Sequence, residues 1–410
     1  MTSKKLALIA AALVLAATTV VIPAQAQTSS GPAKCTNGKA GQYPCKGIDL
    51  LAHLPASEMG GGGVSDVWGW VDPESKHEYA ILGTSGGVNF VDVTNPTKPI
   101  YLGQLAGKPP AGLWQEIEIL NDHAYIVCDL TPCGLQIFNL LHLSGNTTAQ
   151  DWAPDAVYPL PIAHSIDSNP ETNHIFINGT GVTDPGGTPL IFDVGTDPLV
   201  PVPVGIIADD GYTHDSLCRN YNGPDKDHKG NEICFNFNTD TVTIYDVTAN
   251  PQQPVQVSRT TYEGASYVHS GALSKDHSTL ISTDEADETD HAIRSTLYIW
   301  DIRDLSDPKM IGTFVAKSGA IDHNIYSRRG NALFHANYAN GFRILDMSQA
   351  SKGKLKEVAY IDTMPMEDGP VFAGAWAAYP FLPSGNMLVG DMSVGLFIVR
   401  PDPTILKRLR

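Results

Sequence analysis

The chain has 410 residues, with 27 Lys+Arg against 44 Asp+Glu and a formal net charge of −17. That acidity argues against a nucleic-acid binder, whose phosphate contacts need a basic surface. A hydrophobic share of 42% is ordinary for a globular protein and excludes wholesale disorder.

In chain order, the first element is a targeting segment. Lys4 and Lys5 precede an apolar run, Leu6 to Val21, and Ala24-Gln25-Ala26 supplies a small-x-small cleavage site. Residues 1–26 therefore read as a cleaved secretory signal peptide rather than as a membrane anchor. Without them 25 basic residues face 44 acidic ones, a net charge of −19. That balance favours solubility outside the cell and cation binding. No later stretch is apolar enough to span a bilayer, and the tail "PDPTILKRLR" carries no sorting signal. The expectation is an exported protein, periplasmic or extracellular, with no transmembrane segment in its mature chain.

The six cysteines fall into three close pairs: Cys35 with Cys45, Cys128 with Cys133, and Cys218 with Cys234. In an exported chain, local disulfides are the natural reading of such pairs. Zinc held by cysteine is the weaker alternative, because no C-x-x-C occurs. The first pair sits in a leader, residues 27–46, ahead of the repeats.

Seven β-rich runs then recur at intervals of 45 to 55 residues: "GVNFVDV" at Gly87, "GLQIFNL" at Gly134, "TPLIFDV" at Thr188, "TVTIYDV" at Thr241, "TLYIWDI" at Thr296, "GFRILDM" at Gly341 and "GLFIVRP" at Gly395. Each ends at one register in Asp92, Asn139, Asp193, Asp246, Asp301, Asp346 or Arg400. Each interval has room for about four short strands with turns. Four strands per repeat and no helical period predict an all-β fold, a seven-bladed β-propeller over residues 47–400, followed by a tail at 401–410. The seventh repeat lacks an outer strand of its own. The run "IDLLAHL", Ile48 to Leu54, resembles one, so it is expected to close the ring beside Gly395 to Val399.

The opening strands of the repeats start at Ser65, Gln115, His164, His214, His269, His323 and Trp376, 49 to 55 residues apart. First strands of propeller blades line the central channel, so His164, His214, His269 and His323 should converge in an arc. Imidazole is a favoured ligand of zinc, copper and iron, which makes these four candidate metal ligands. Asp66, Glu116, Asp215 and Asp322 adjoin this level, and Trp376 occupies it in the seventh repeat. These five are candidate ligand-binding residues, and the carboxylates are placed to orient imidazoles through the non-ligating nitrogen. The competing reading is a polar wall of a water-filled channel.

The stretch "STDEADETDH", Ser282 to His291, is dense enough in hard oxygen ligands for calcium, although such runs are usually solvated loops. Within it Asp284, near the end of a second strand, is expected close to His269 and joins the candidate metal ligands. No G-x-S-x-G elbow, phosphate-binding glycine loop or H-E-x-x-H is present.

Several longer segments, among them "GQYPCKGIDLLAHLP", "EYAILGTSGGVNFVDVTNPTKPIYLG", "DGYTHDSLCRNYNGPDKDHKGNEICFN" and "GAWAAYPFLPSGN", carry a family resemblance. Over nearly all its mature length the chain resembles the bacterial exported proteins of the choice-of-anchor B family, built from LVIVD repeats. The resemblance implies an exported β-propeller, often tethered at the cell surface by a C-terminal sorting signal, which this sequence lacks. It brings no established catalytic residues. The expected function is therefore a module binding an extracellular ligand or protein through a histidine-lined channel. The alternative is a metal-dependent oxidoreductase or hydrolase that uses the same histidines.

Overall fold

Strands such as Glu78–Thr84 and Thr279–Asp284 are buried along their whole length. A strand of that kind needs a covering layer on both faces. Sheets stacked face to face around a ring supply it. In the computed structural model, which describes residues 30–106, 112–181, 187–327 and 330–410, the repeats form seven antiparallel sheets arranged as a seven-bladed β-propeller. The expected signal peptide, residues 1–26, lies outside the described residues.

The innermost strands are Val64–Val71, Gln115–Leu120, Ser165–Asn169, Asp215–Asn220, Val268–Leu273, Ile325–Ser327 and Ala375–Tyr379. The third strands carry the repeated motif, from Gly87–Asp92 in blade one to Gly395–Pro401 in blade seven. The structure explains the polar residue that ends them. Asp92, Asn139, Asp193, Asp246, Asp301 and Asp346 each accept, through Oδ1, the backbone N–H two residues on, at 2.7–3.0 Å. These are Asx turns, which start the connection to the outer strand. Arg400 ends the seventh copy, where no such turn is needed, because the outer strand there comes from the N-terminus. Ile48–Leu54 pairs antiparallel with Gly395–Pro401.

Six blades share a further device, a register shift between third and outer strands, for example at Ile244/Tyr245 and Ile299/Trp300. A bulge there adds twist and bends the outer strand away from its neighbours. Two sheets exceed four strands. Gln150–Trp152, in the long connection of blade two, pairs parallel with the outer strand Ile100–Ala106 of blade one. The leader hairpin, Lys39–Ala40 with Tyr43–Lys46, adds to the blade-six strand Lys356–Ile361 and holds the Cys35–Cys45 disulfide.

The core lies between blades. Phe90, Phe138 and Trp152 pack together where blades one and two meet, with Phe90 and Phe138 stacked at 4.8 Å. Tyr262, Tyr298 and Trp300 do the same between blades four and five. The Cys128–Cys133 and Cys218–Cys234 disulfides are also formed, as an oxidising compartment allows. Among the described residues no helix is long and apolar enough to cross a membrane.

Candidate metal centre

The inner strands meet at the hub through one repeated contact. The carbonyl at the histidine register accepts a side-chain hydrogen bond from the preceding blade. Ser65 Oγ donates to Gln115 O at 3.0 Å, Ser165 Oγ to His214 O at 2.8 Å, and Ser270 Oγ to His323 O at 3.1 Å. This register brings four imidazoles side by side. Ring centroids are 4.1 Å apart for His164 and His214, 4.1 Å for His214 and His269, and 4.4 Å for His269 and His323. Trp376 ends the row, 4.9 Å from the His323 ring.

His164 needs room that only a glycine leaves. Gly179, at φ +62°, lies against it, and a Cβ there would come within 2.4 Å of the His164 Cβ. The left-handed backbone and the close approach both select glycine.

The hydrogen bonds decide where the ring protons sit. His323 Nδ1 is 2.6 Å from Trp376 O, and His214 Nδ1 is 3.3 Å from His269 O. His164 Nδ1 is 2.9 Å from Asp129 Oδ2. Carbonyl and carboxylate oxygens only accept, so each of these Nδ1 atoms carries the proton. In the neutral ring the lone pair then sits on Nε2. This is the arrangement by which proteins prepare imidazole as a metal ligand.

The imidazoles meet one carboxylate. His323 Nε2 is 3.3 Å from Glu285 Oε1, and His269 Nε2 is 3.6 Å from Glu285 Oε2. A nitrogen of His214, a nitrogen of His269 and a Glu285 oxygen lie within 4.8 Å of one another. A tetrahedral ion with bonds of about 2.1 Å holds its donors about 3.4 Å apart. The spacing of the Glu285 contacts matches that value. Tyr338 Oη donates to Glu285 Oε1 at 2.6 Å and fixes the carboxylate. His269 Nδ1 is buried without a partner.

Burial dominates the electrostatics. It holds His214 and His269 well below the ordinary histidine value, helped by the neighbouring imidazoles. It holds His323 down at about 3. For His164 burial opposes protonation, but the hydrogen bond and charge of Asp129 outweigh it and raise the pKa. Burial pushes Glu285 up to about 7, against the Tyr338 hydrogen bond. The hub thus sets the neutral imidazoles of His214, His269 and His323 against a carboxylate that resists ionisation. A cation in their midst would relieve both.

Beneath the rings is a cavity of about 20 Å³, lined by Glu116, His164, His214, Asp215, His269, His323 and Trp376 among others. That is room for roughly one water or ion, and too little for an organic substrate. Burial raises Glu116 well above the usual carboxylate range, with Asp66 adding to it, and brings Asp215 to about 7. Access is from the side of His164 and Asp129, whose side chains are 19% and 26% exposed, against 2–4% for the other three histidines.

The structure sorts the residues singled out in the sequence. It brings together His164, His214, His269, His323, Trp376, Glu116 and Asp215. Asp66 stands aside from the cavity lining, with its Oδ2 accepting the Ile117 N–H at 2.9 Å, a bond between blades one and two. Asp322 does not face the imidazoles, because its side chain points opposite to that of His323 and accepts from Asp284 N and Thr296 N. Asp284 is likewise corrected. Its carboxylate is taken by Tyr262 Oη at 2.5 Å, Ser266 N at 2.9 Å and Tyr267 N at 2.6 Å, while the adjacent Glu285 turns to the histidines.

Sequence reasoning missed Glu285, Asp129 and Tyr338. A signal did exist for the first two. Asp129 follows the second strand His123–Cys128, and Glu285 follows the second strand Thr279–Asp284. They occupy one repeat position, which in the other five blades is Ser85, Gly179, Asn238, Asn337 or Met392.

No protein-family model matches the chain, and no curated protein matches it. Its fold is similar to that of solved structures. One is a protein of unknown function from Desulfotomaculum acetoxidans, at a TM-score of 0.53 and 15% identity, covering 75% of this chain and 88% of that one. Another is a protein from Lactobacillus plantarum, at a TM-score of 0.52 and 13% identity, covering 82% and 96%. At such identities the likeness is one of fold alone.

Proposed function

We propose that this chain is an exported propeller of the LVIVD-repeat kind whose hub binds one divalent transition-metal ion. His214, His269 and Glu285 supply the ligands, with His323 and His164 flanking them. Zinc and copper suit an imidazole-carboxylate set best, and iron fits it next. The observation that carries this reading is the convergence of buried imidazoles on the buried Glu285 carboxylate, with the His214 and His323 protons held on Nδ1 by carbonyls. Three disulfides support an oxidising, exported location.

A second reading, metal-dependent catalysis, draws support from the partly exposed His164–Asp129 side, which gives a small molecule such as water or oxygen a path to the ion.

The test is elemental analysis of untagged protein, followed by titration with zinc and with copper. One equivalent bound in wild type, and a large loss in His214→Ala and His269→Ala, is the expected result. Folded wild-type protein that neither carries nor takes up a transition metal would falsify the assignment.

A further inference from the structure

A second group of side chains lies outside the hub and is not used by the function proposed above. Asp287 and Glu288, on the short helix Asp287–His291, meet Asp322, just ahead of the inner strand of blade six. One oxygen from each lies within 4.8 Å of the others. All three residues are buried, at 0%, 2% and 0% exposure.

Fixed donors account for four of their six oxygens. Asp322 Oδ1 accepts from Asp284 N at 3.0 Å, and Oδ2 accepts from Thr296 N at 3.2 Å. Glu288 Oε1 accepts from Asp322 N at 3.1 Å, and Asp287 Oδ2 accepts from Tyr298 Oη at 2.6 Å. Asp287 Oδ1 and Glu288 Oε2 remain buried with no donor. Among the described residues no lysine or arginine forms an ion pair with any of the three. His291 is on the same helix, but its Nε2 is engaged by Ser266 Oγ at 3.1 Å and Gly264 O at 3.0 Å.

Buried carboxylates that lack donors and counter-charges must be met by protons or by a cation. Here the donors are all oxygen, which suits a hard ion rather than the ion favoured by imidazole. Calcium takes most of its oxygens from protein, whereas magnesium dehydrates reluctantly and keeps several waters, so three buried carboxylates suit calcium better. We propose that Asp287, Glu288 and Asp322 form a calcium site, separate from the hub, that fastens the helix Asp287–His291 to the chain carrying Asp322 and His323. The site stands one residue from His323 and two from Glu285. Calcium there would therefore hold both residues in place without touching the hub.

The experiment uses the full mature chain stripped with EGTA and returned to buffer at pH 7.5. Calcium chloride and magnesium chloride are titrated by calorimetry, and melting is followed with and without each. The variants are Glu288→Gln, Asp322→Asn and His214→Ala. The expected result is one calcium per chain and a rise of several degrees in melting midpoint. Magnesium should be weaker, affinity should fall at least tenfold in Glu288→Gln, and the calcium response should be unchanged in His214→Ala. Should Asp322→Asn fail to fold, Glu288→Gln still carries the test. Folded wild-type protein that takes up no calcium at millimolar concentration overturns the proposal. So does a Glu288→Gln variant that binds calcium as tightly as wild type. A Glu288→Gln variant that is more stable than wild type in EGTA, with neither responding to calcium, assigns the pair to shared protons instead.

Discussion

Glu285→Gln separates a carboxylate kept for a metal from one kept for the fold. Burial brings Glu285 from an ordinary 4.5 up to about 7, a gap worth roughly 3 kcal/mol. Because the folded pKa lies above the unfolded one, this group lowers metal-free stability progressively as pH rises from about 4.5 to about 7. Above that window the full penalty is present. Glutamine keeps the shape and still accepts from Tyr338, although the exchange of a charged acceptor for a neutral one costs about 1 kcal/mol. In EDTA the variant should therefore match wild type near pH 4.5 and exceed it by roughly 2 kcal/mol at pH 8. Zinc reverses the order. Wild type gains in proportion to the logarithm of free metal over Kd, whereas the variant has lost its anionic ligand and binds at least roughly tenfold more weakly. Thermal melts at both pH values, with EDTA and with zinc, read all four states. A variant that is less stable than wild type in EDTA at pH 8, or one with an undiminished zinc response, would refute the reasoning.

Asp129→Asn removes the charged acceptor that orients His164. Zinc affinity by calorimetry should fall by roughly ten- to a hundredfold if His164 takes part in the site, while the melting midpoint in EDTA stays near that of wild type. His335 gives a second pH test, at a residue outside the proposed ligand set. Burial, with Arg343 and His323 nearby, holds this 2%-exposed ring at about 3. Its folded pKa lies below its unfolded 6.5, so the unfolded chain takes up a proton that the folded chain refuses. Stability should fall by about 1.4 kcal/mol per unit as pH drops through that window. Urea midpoints at pH 7 and pH 5 should show a shallower decline in His335→Gln, and an unchanged decline would remove His335 as its source.

The ring was legible because its repeat is held by local chemistry. The aspartate or asparagine that ends six of the third strands makes an Asx turn, a bond within three residues, so aspartate returns in five blades and asparagine in one. The four histidines were legible for a related reason, since the inter-blade hydrogen bonds fix their register. The carboxylate partners were harder to place. Glu285 follows the strand Thr279–Asp284 and His323 precedes the strand Ile325–Ser327, so no alternation along a strand tells Asp284 from Glu285, or Asp322 from His323. The sequence shows both members of each pair and not which one faces the hub. The pairing of Gln150–Trp152 with blade one, and of the leader hairpin with blade six, depends on distant edges, and nothing in those short segments announces it.

A structural role for the imidazoles is the natural rival to a metal, and blades two and seven speak against it. At the same register they carry Gln115 and Trp376. Gln115 Nε2 reaches Thr84 O at 2.6 Å, so the hub is tied together there without histidine. Trp376 offers only a carbonyl and an apolar face to His323. Ring assembly at this level therefore accepts an amide or an indole. The apolar clusters between blades, such as the one around Phe90 and Phe138, carry the burial that holds the sheets together. Three buried imidazoles held neutral against a buried carboxylate detract from that stability. Asp129 and the carbonyls of His269 and Trp376 hold the protons of His164, His214 and His323 on Nδ1, so that in the neutral rings Nε2 stays bare. Bare nitrogens confer nothing on the folding of the ring, whereas a bound cation requires them.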